Sequence, residues 1–196
     1  MRIIAGAYKG KRLVTPRGDV TRPTADQVRI ALMDTLTPWL GDARLLDLFA
    51  GAGGVGLEAL SRGAAHVTFV ERDARAVAAL RENVAAVGVG AAARVVRDDV
   101  PRALASLARA GERFTLVFLD PPYDTELTGL TLEALGDGGL LADGALVVAQ
   151  HLTKCAPAAQ SGMLRAFRTR RFGETTLTFF RAGGYDAPST PTPERG

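Results

Sequence analysis

The fold class predicted by this sequence is α/β and Rossmann-like, a mostly parallel seven-stranded sheet with helices on both faces. Three observations predict it. Short apolar runs alternate with helical patterns from residue 44 to about residue 150, and strand–helix repeats of that length build a parallel sheet covered on both sides. A glycine-rich loop follows the first run. Beyond residue 160 the rhythm changes to two strand-like runs with Gly173 between them, which reads as a hairpin adding an antiparallel pair.

In chain order, the first 20 residues read as a small basic hairpin, and 24–36 as a helix with Thr24 as its cap. Leu45–Phe49 is a buried strand ending in the glycine loop, and a helix follows through Leu57–Leu60. His66–Glu71 is the second strand, and Asp73 is placed to cap an alanine-rich helix running to about Val87. A third strand covers 94–97 and a helix 101–109. Phe114–Leu119 is the continuously apolar run of a central parallel strand. A helix around 127–135 leads to a fifth strand at 144–149, and the final pair spans 164–170 and 175–180. The tail, with Pro188, Pro191 and Pro193, is too polar and proline-rich to pack and is expected to be disordered. The expected organisation is a hairpin extension at 1–22, a main domain at 23–182 and the tail at 183–196.

With 47% hydrophobic and 23% charged residues in 196, the chain can bury an ordinary globular core. Its start, Met-Arg-Ile-Ile-Ala-Gly, shows no apolar signal segment. No stretch approaches the roughly 18 apolar residues of a membrane span, so a soluble cytoplasmic protein is expected. Cys155 is the only cysteine and His66 and His151 the only histidines, so no metal centre is expected. Charge is uneven. Residues 1–30 hold seven basic side chains against Asp19 and Asp26, which leaves the other 166 residues at a net −2. A basic arm on a near-neutral body suits a polyanion, and Arg2, Lys9, Lys11, Arg12, Arg22 and Arg29 are the candidate RNA contacts. The alternative is a solvated basic face.

The loop Phe49-Ala50-Gly51-Ala52-Gly53-Gly54-Val55-Gly56 has G-x-G-x-x-G spacing at Gly51, Gly53 and Gly56, and Glu71 ends the next strand. This layout lets backbone approach a nucleotide-like cofactor while Glu71 accepts hydrogen bonds from ribose hydroxyls. It fits NAD or S-adenosylmethionine. The latter carries a sulfonium cation and no phosphate, so the acidic Asp47 at the strand end favours it; loop amides satisfying a buried aspartate are the plainer explanation. Asp99 is preferred to Asp98 as an acceptor for an adenine amino group, although a helix cap would also explain it.

Asp120-Pro121-Pro122-Tyr123, at the end of the fourth strand, is the most specific feature. An exocyclic base amine is a poor nucleophile because its lone pair is delocalised into the ring. Two acceptors on its N–H bonds favour the tetrahedral geometry needed for attack, and the Asp120 carboxylate and Pro121 carbonyl can supply them. Consecutive prolines hold such acceptors in place, and Tyr123 can stack on the base. These residues indicate a class I methyltransferase acting on a base amine.

With these motifs the chain resembles the bacterial 16S ribosomal RNA guanine-N2 methyltransferase family (RsmD-like) from about residue 2 to 181. The distinctive blocks are Arg2-Ile3-Ile4-Ala5-Gly6, Lys9-Gly10-Lys11-Arg12-Leu13, Arg22-Pro23-Thr24 with Val28-Arg29, and Gly56 to Ala64. The resemblance implies methylation of N2 of one guanine in 16S rRNA, on a small-subunit assembly intermediate. It implies that Asp120 to Tyr123 bind the target base and that Asp47, Phe49, Gly51, Gly53, Glu71 and Asp99 line the cofactor site. Thr24 would lie near both cofactor and RNA. Ile30 and Gln150-His151 depart from the family's usual acidic residues. The rivals are an adenine-N6 or other base-amine methyltransferase, an NAD-dependent oxidoreductase, and a non-enzymatic RNA-binding assembly factor.

Overall fold

The structure, a computed structural model, describes residues 1–16, 23–122 and 126–183, with residues 23–25 described by their backbone alone. The tail from residue 184 onward, Arg22 and Tyr123 lie outside the described residues, as does the side chain of Thr24. The elements are α1 (Pro23–Leu40), β1 (Arg44–Leu48), α2 (Gly54–Ser61), β2 (His66–Glu71), α3 (Ala74–Val87), β3 (Ala93–Arg97) and α4 (Val100–Arg109). They continue with β4 (Phe114–Leu119), α5 (Leu127–Asp137), β5 (Leu141–Leu152), β6 (Gln160–Ser161), β7 (Leu164–Phe172) and β8 (Thr175–Ala182).

One mixed sheet runs β3-β2-β1-β4-β5-β8-β7-β6. The first five strands are parallel, and β8, β7 and β6 extend the sheet antiparallel. It therefore has eight strands where seven were expected, because the two-residue β6 pairs with Leu164 and Arg165. The fifth strand is also longer than the apolar run 144–149, since β8 holds it in register through Leu152. Side chains that alternate across the strands divide the interior in two. Leu45, Phe69, Leu116 and Val148 face α1, α2 and α3, while Leu46, Val70, Val117 and Val147 face α4 and α5. Asp73 caps α3 by accepting from the N–H groups of Arg75 and Ala76, as expected.

The N-terminal segment has hairpin-like pairing with a single antiparallel bridge, Arg2 to Arg12. It is tied to the body throughout. Ile3 and Leu13 are buried against α1 to α3. The fully buried Glu58 accepts from the N–H groups of Ile4 (2.7 Å) and Ala5 (3.0 Å) and pairs with Arg62. Ser61 Oγ accepts from the Tyr8 N–H, and Asn83 bonds both backbone groups of Val14. Gly6 has φ +84°, and a Cβ there would strike the Ser61 backbone, so no other residue fits this crossing. Removing Glu58 strands two part-buried amide donors and a guanidinium. Glu58→Ala should lower unfolding stability by about 3 kcal/mol, as for a broken buried ion pair. Urea unfolding reads the loss, and hydrogen exchange at Ile4 and Ala5 should accelerate with it.

Candidate active site

Every expected carboxylate of the site sits at the carboxyl edge of the parallel strands, where open α/β sheets bind ligands. Asp47 lies one residue before the end of β1 and Glu71 ends β2. Asp98 and Asp99 follow β3, and Asp120 follows β4. A cavity of about 430 Å³, the size of a small-molecule pocket, is lined by Phe49, Glu71, Asp98, Asp99, Asp120 and Pro121 among others.

The glycine loop reaches the cavity at Phe49 and is held from three sides. Asp47 Oδ2 accepts from the Gly56 N–H (2.9 Å). Glu71 Oε2 accepts from the Gly51 N–H (2.9 Å), and its other oxygen accepts from the N–H groups of Arg72 and Asp73. Asn83 Nδ2 donates to the Ala52 carbonyl (2.9 Å). The glycines do different work. A Cβ at Gly56 would enter the Phe69 ring of β2 and one at Gly53 would strike Leu80 of α3, so Gly56 lets α2 pack on the sheet and Gly53 lets the loop pack on α3. At Gly51, φ +55°, a Cβ would meet only open space, and this is where a ligand can approach backbone. Phe49 also has a positive φ, +59°. That left-handed backbone is rare outside glycine and clusters at functional sites.

Electrostatics set the character of the cavity. Burial raises the Asp47 carboxyl to about 8 against the single Gly56 hydrogen bond, with Asp120 and Glu71 pushing the same way. Burial raises Asp120 to about 7, opposed by a hydrogen bond from Gln150. Four carboxyl side chains, Glu71, Asp98, Asp99 and Asp120, line the cavity, a wall that disfavours a pyrophosphate and favours a cation. Asp99 uses its oxygens in capping α4 and pairing with Arg102 (2.6 Å), so the helix-cap role anticipated for it is present at the cavity wall. Two of the expected RNA contacts are engaged with other groups of the chain. Arg29 is buried, donating to Asp26 and to the Arg2 carbonyl, and Lys11 Nζ donates to the Ala86 and Val87 carbonyls that end α3. Arg29 is thus held within the fold, whereas Lys11 stays exposed while capping α3. Arg2, Lys9 and Arg12 are exposed.

Sequence reasoning missed a second cavity, of about 320 Å³, on the far side of the two prolines. It is lined by Pro121, Pro122, Gln150, His151 and Leu152 among others. β4 and β5 are in register to Leu119 and Ala149, so Asp120 and Gln150 are the next residues on adjacent strands. Both His151 ring nitrogens are bonded, to the Leu152 carbonyl and to Thr178 Oγ1, which gives it a structural place in the wall.

A sequence family described as "Conserved hypothetical protein 95" matches residues 1–181. The chain belongs to it. Ribosomal RNA small subunit methyltransferase D of Escherichia coli K12 is 43% identical over 147 residues, covering 75% of this chain and 72% of the relative. YlbH of Bacillus subtilis 168 is 35% identical over 184 residues, covering 94% and 100%. A solved protein from Thermus thermophilus superposes with TM-score 0.77 at 38% identity, covering 91% of this chain and 98% of that one. An RNA methyltransferase from Salinibacter ruber, solved with S-adenosyl-L-homocysteine, shares the fold alone (TM-score 0.60, 19% identity, covering 90% and 98%). The fold is that of the class I S-adenosylmethionine-dependent methyltransferases.

The raised carboxyls have a consequence for stability. The folded values of Asp47 and Asp120 lie above the ordinary 3.8, so the native state binds protons that the unfolded chain releases. Their contribution is full below about pH 4 and is lost as pH rises through about 7 for Asp120 and about 8 for Asp47. Urea unfolding of cofactor-free protein between pH 5 and 9 should show this fall. In Asp47→Asn, which keeps an acceptor for Gly56, the fall should be shallower.

Proposed function

We propose that the protein transfers a methyl group from S-adenosylmethionine to the exocyclic N2 amine of a guanine in 16S rRNA, acting on the small subunit or its assembly intermediate. The cofactor supplies an electrophilic methyl on a sulfonium, and the acidic 430 Å³ cavity suits that cation. Glu71 and the glycine loop would hold its ribose and amino-acid ends, with Asp99 near its adenine. The rRNA substrate class follows the relatives' names, among them the small-subunit methyltransferase D proteins at 43% and 33% identity.

The observation that carries guanine over adenine is the pairing of Asp120 with Gln150 between the two cavities. An ionised carboxylate only accepts hydrogen bonds, so Gln150 meets Asp120 through its amide N–H and turns its carbonyl oxygen elsewhere. On this reading, a base entering from the second cavity past Gln150 would meet the Gln150 oxygen and, at the wall of the first cavity, the Asp120 carboxylate, an acceptor at each position. Guanine presents two adjacent donors, the N2 amine and N1–H, and matches them. Adenine presented through N6 brings its unprotonated N1 against the Gln150 oxygen, an acceptor facing an acceptor. Asp120 orients the amine and is placed to hold the proton it gives up. Activity should therefore rise with pH through about 7, where Asp120 ionises.

Incubation with methyl-labelled cofactor and small subunits lacking the modification, followed by nucleoside mass analysis, should yield N2-methylguanosine at one site. N6-methyladenosine would reject the guanine assignment, and transfer only to DNA would reject the ribosomal one. Asp120→Ala should cut turnover by about 10²–10⁴-fold with cofactor affinity kept. Gln150→Leu should lower guanine turnover and narrow the guanine-to-adenine ratio. An unchanged ratio would remove Gln150 from base recognition.

A further inference from the structure

We propose that the α1-side surface of β7, built from Arg165, Phe167 and Arg168, is a docking surface for RNA away from the target base. The inference rests on the reading that the substrate is RNA. Residues 160–183 hold five arginines and one acid, Glu174, a concentration hidden when the chain beyond residue 30 is averaged.

A bulge gives the surface its shape. The register of β7 on β8 shifts between Ala166 and Arg168, and such a bulge re-aims side chains. Arg165 pairs with Arg181, whose guanidinium lies over Trp39 of α1 (5.7 Å). Phe167 lies under the same guanidinium (5.6 Å) and against Phe179 (6.4 Å). Arg168 pairs with Phe179, and Arg170 reaches α1 through the Ala31 carbonyl and Thr35. These residues therefore share the α1 side. Arg165 and Arg168 are exposed, and neither makes an ion pair among the described residues.

Arginines on an open strand also guard against edge-to-edge pairing, and β6 covers only Leu164 and Arg165. Edge protection does not account for Phe167. Half of that ring is exposed, yet Arg181 and Phe179 fix it in place. A positioned aromatic between unpaired guanidinium groups is the composition of a surface that stacks bases and neutralises phosphates. The strand also leads away from the site. Its turn is bonded to Thr153, next to Leu152 in the wall of the second cavity. A strand whose base enters that cavity can continue along β7, about 20 Å from Arg171 to Arg165 at the usual rise.

Binding of labelled 16S rRNA measured against salt, with methylation recorded separately, tests this. Arg165→Gln/Arg168→Gln should raise Kd at least tenfold at low salt and reduce the log–log salt slope by about 1.4, as for two lost contacts to a single strand. Phe167→Ala should raise Kd about tenfold with the slope kept. Cofactor affinity, which these residues do not touch, should stay at the wild-type value and reports folding. Wild-type Kd and slope in the double variant would overturn the inference, and self-association with unchanged RNA binding would assign the arginines to edge protection instead. Wild-type protein that binds no rRNA would overturn the RNA reading itself. N6-methyladenosine as product would overturn only the guanine assignment.

Discussion

The site depends on a buried carboxylate with one visible hydrogen bond. Asp47 lies one residue before the end of a central apolar strand, is 1% exposed, and accepts from Gly56 in the first turn of α2. That bond fixes where the helix starts relative to β1, and so where the loop between them passes. Glu71 fixes the other end of the loop at Gly51, and Asn83 fixes its middle at Ala52. Burying an ionised carboxylate on a single neutral donor is costly, and the carboxyl responds by moving to about 8. Plain packing would select an apolar residue here. An acid makes sense where the neighbouring space receives a cation, because the ligand's charge then offsets the burial.

Asn83 links that constraint to the N-terminal segment. The side chain that holds Ala52 also holds both backbone groups of Val14, while Glu58 and Ser61 of α2 hold Ile4, Ala5 and Tyr8. The basic segment is thus part of the scaffold of the cofactor loop, although its charge suggests an arm reaching for RNA. Arg29 and Lys11 illustrate the difference. Each has the charge of a phosphate contact; Arg29 is buried against Asp26 and the Arg2 carbonyl, and Lys11, though exposed, donates to the carbonyls that end α3.

The parallel strands were legible because a strand buried on both faces must be apolar throughout, and runs such as Phe114–Leu119 have no other simple reading. The Asp73 cap was legible because its partners are two and three residues away. What stayed hidden depended on partners distant in sequence. Glu58 lies 54 residues from Ile4, Asn83 lies 69 from Val14, and β6 exists only through its pairing with β7. Gln150 was visible only as a departure from the family pattern. Its meaning depends on the β4–β5 register, which brings it beside Asp120.

The two cavities explain why Asp-Pro-Pro stands where it does. Pro121 and Pro122 line both, so the strand end is the partition between them. A partition between a methyl donor and its acceptor must be thin enough for contact and stiff enough to hold two acceptors in line. A residue of ordinary backbone freedom would let Asp120 swing, and proline removes that freedom without adding a donor that competes for the carboxylate. Gln150 completes the restraint from the adjacent strand, supplying a donor to an acid that burial would otherwise tend to protonate. If Asp120 orients the target amine as proposed, catalytic orientation and base choice would both rest on this one hydrogen bond, since the residue that steadies Asp120 also lines the second cavity.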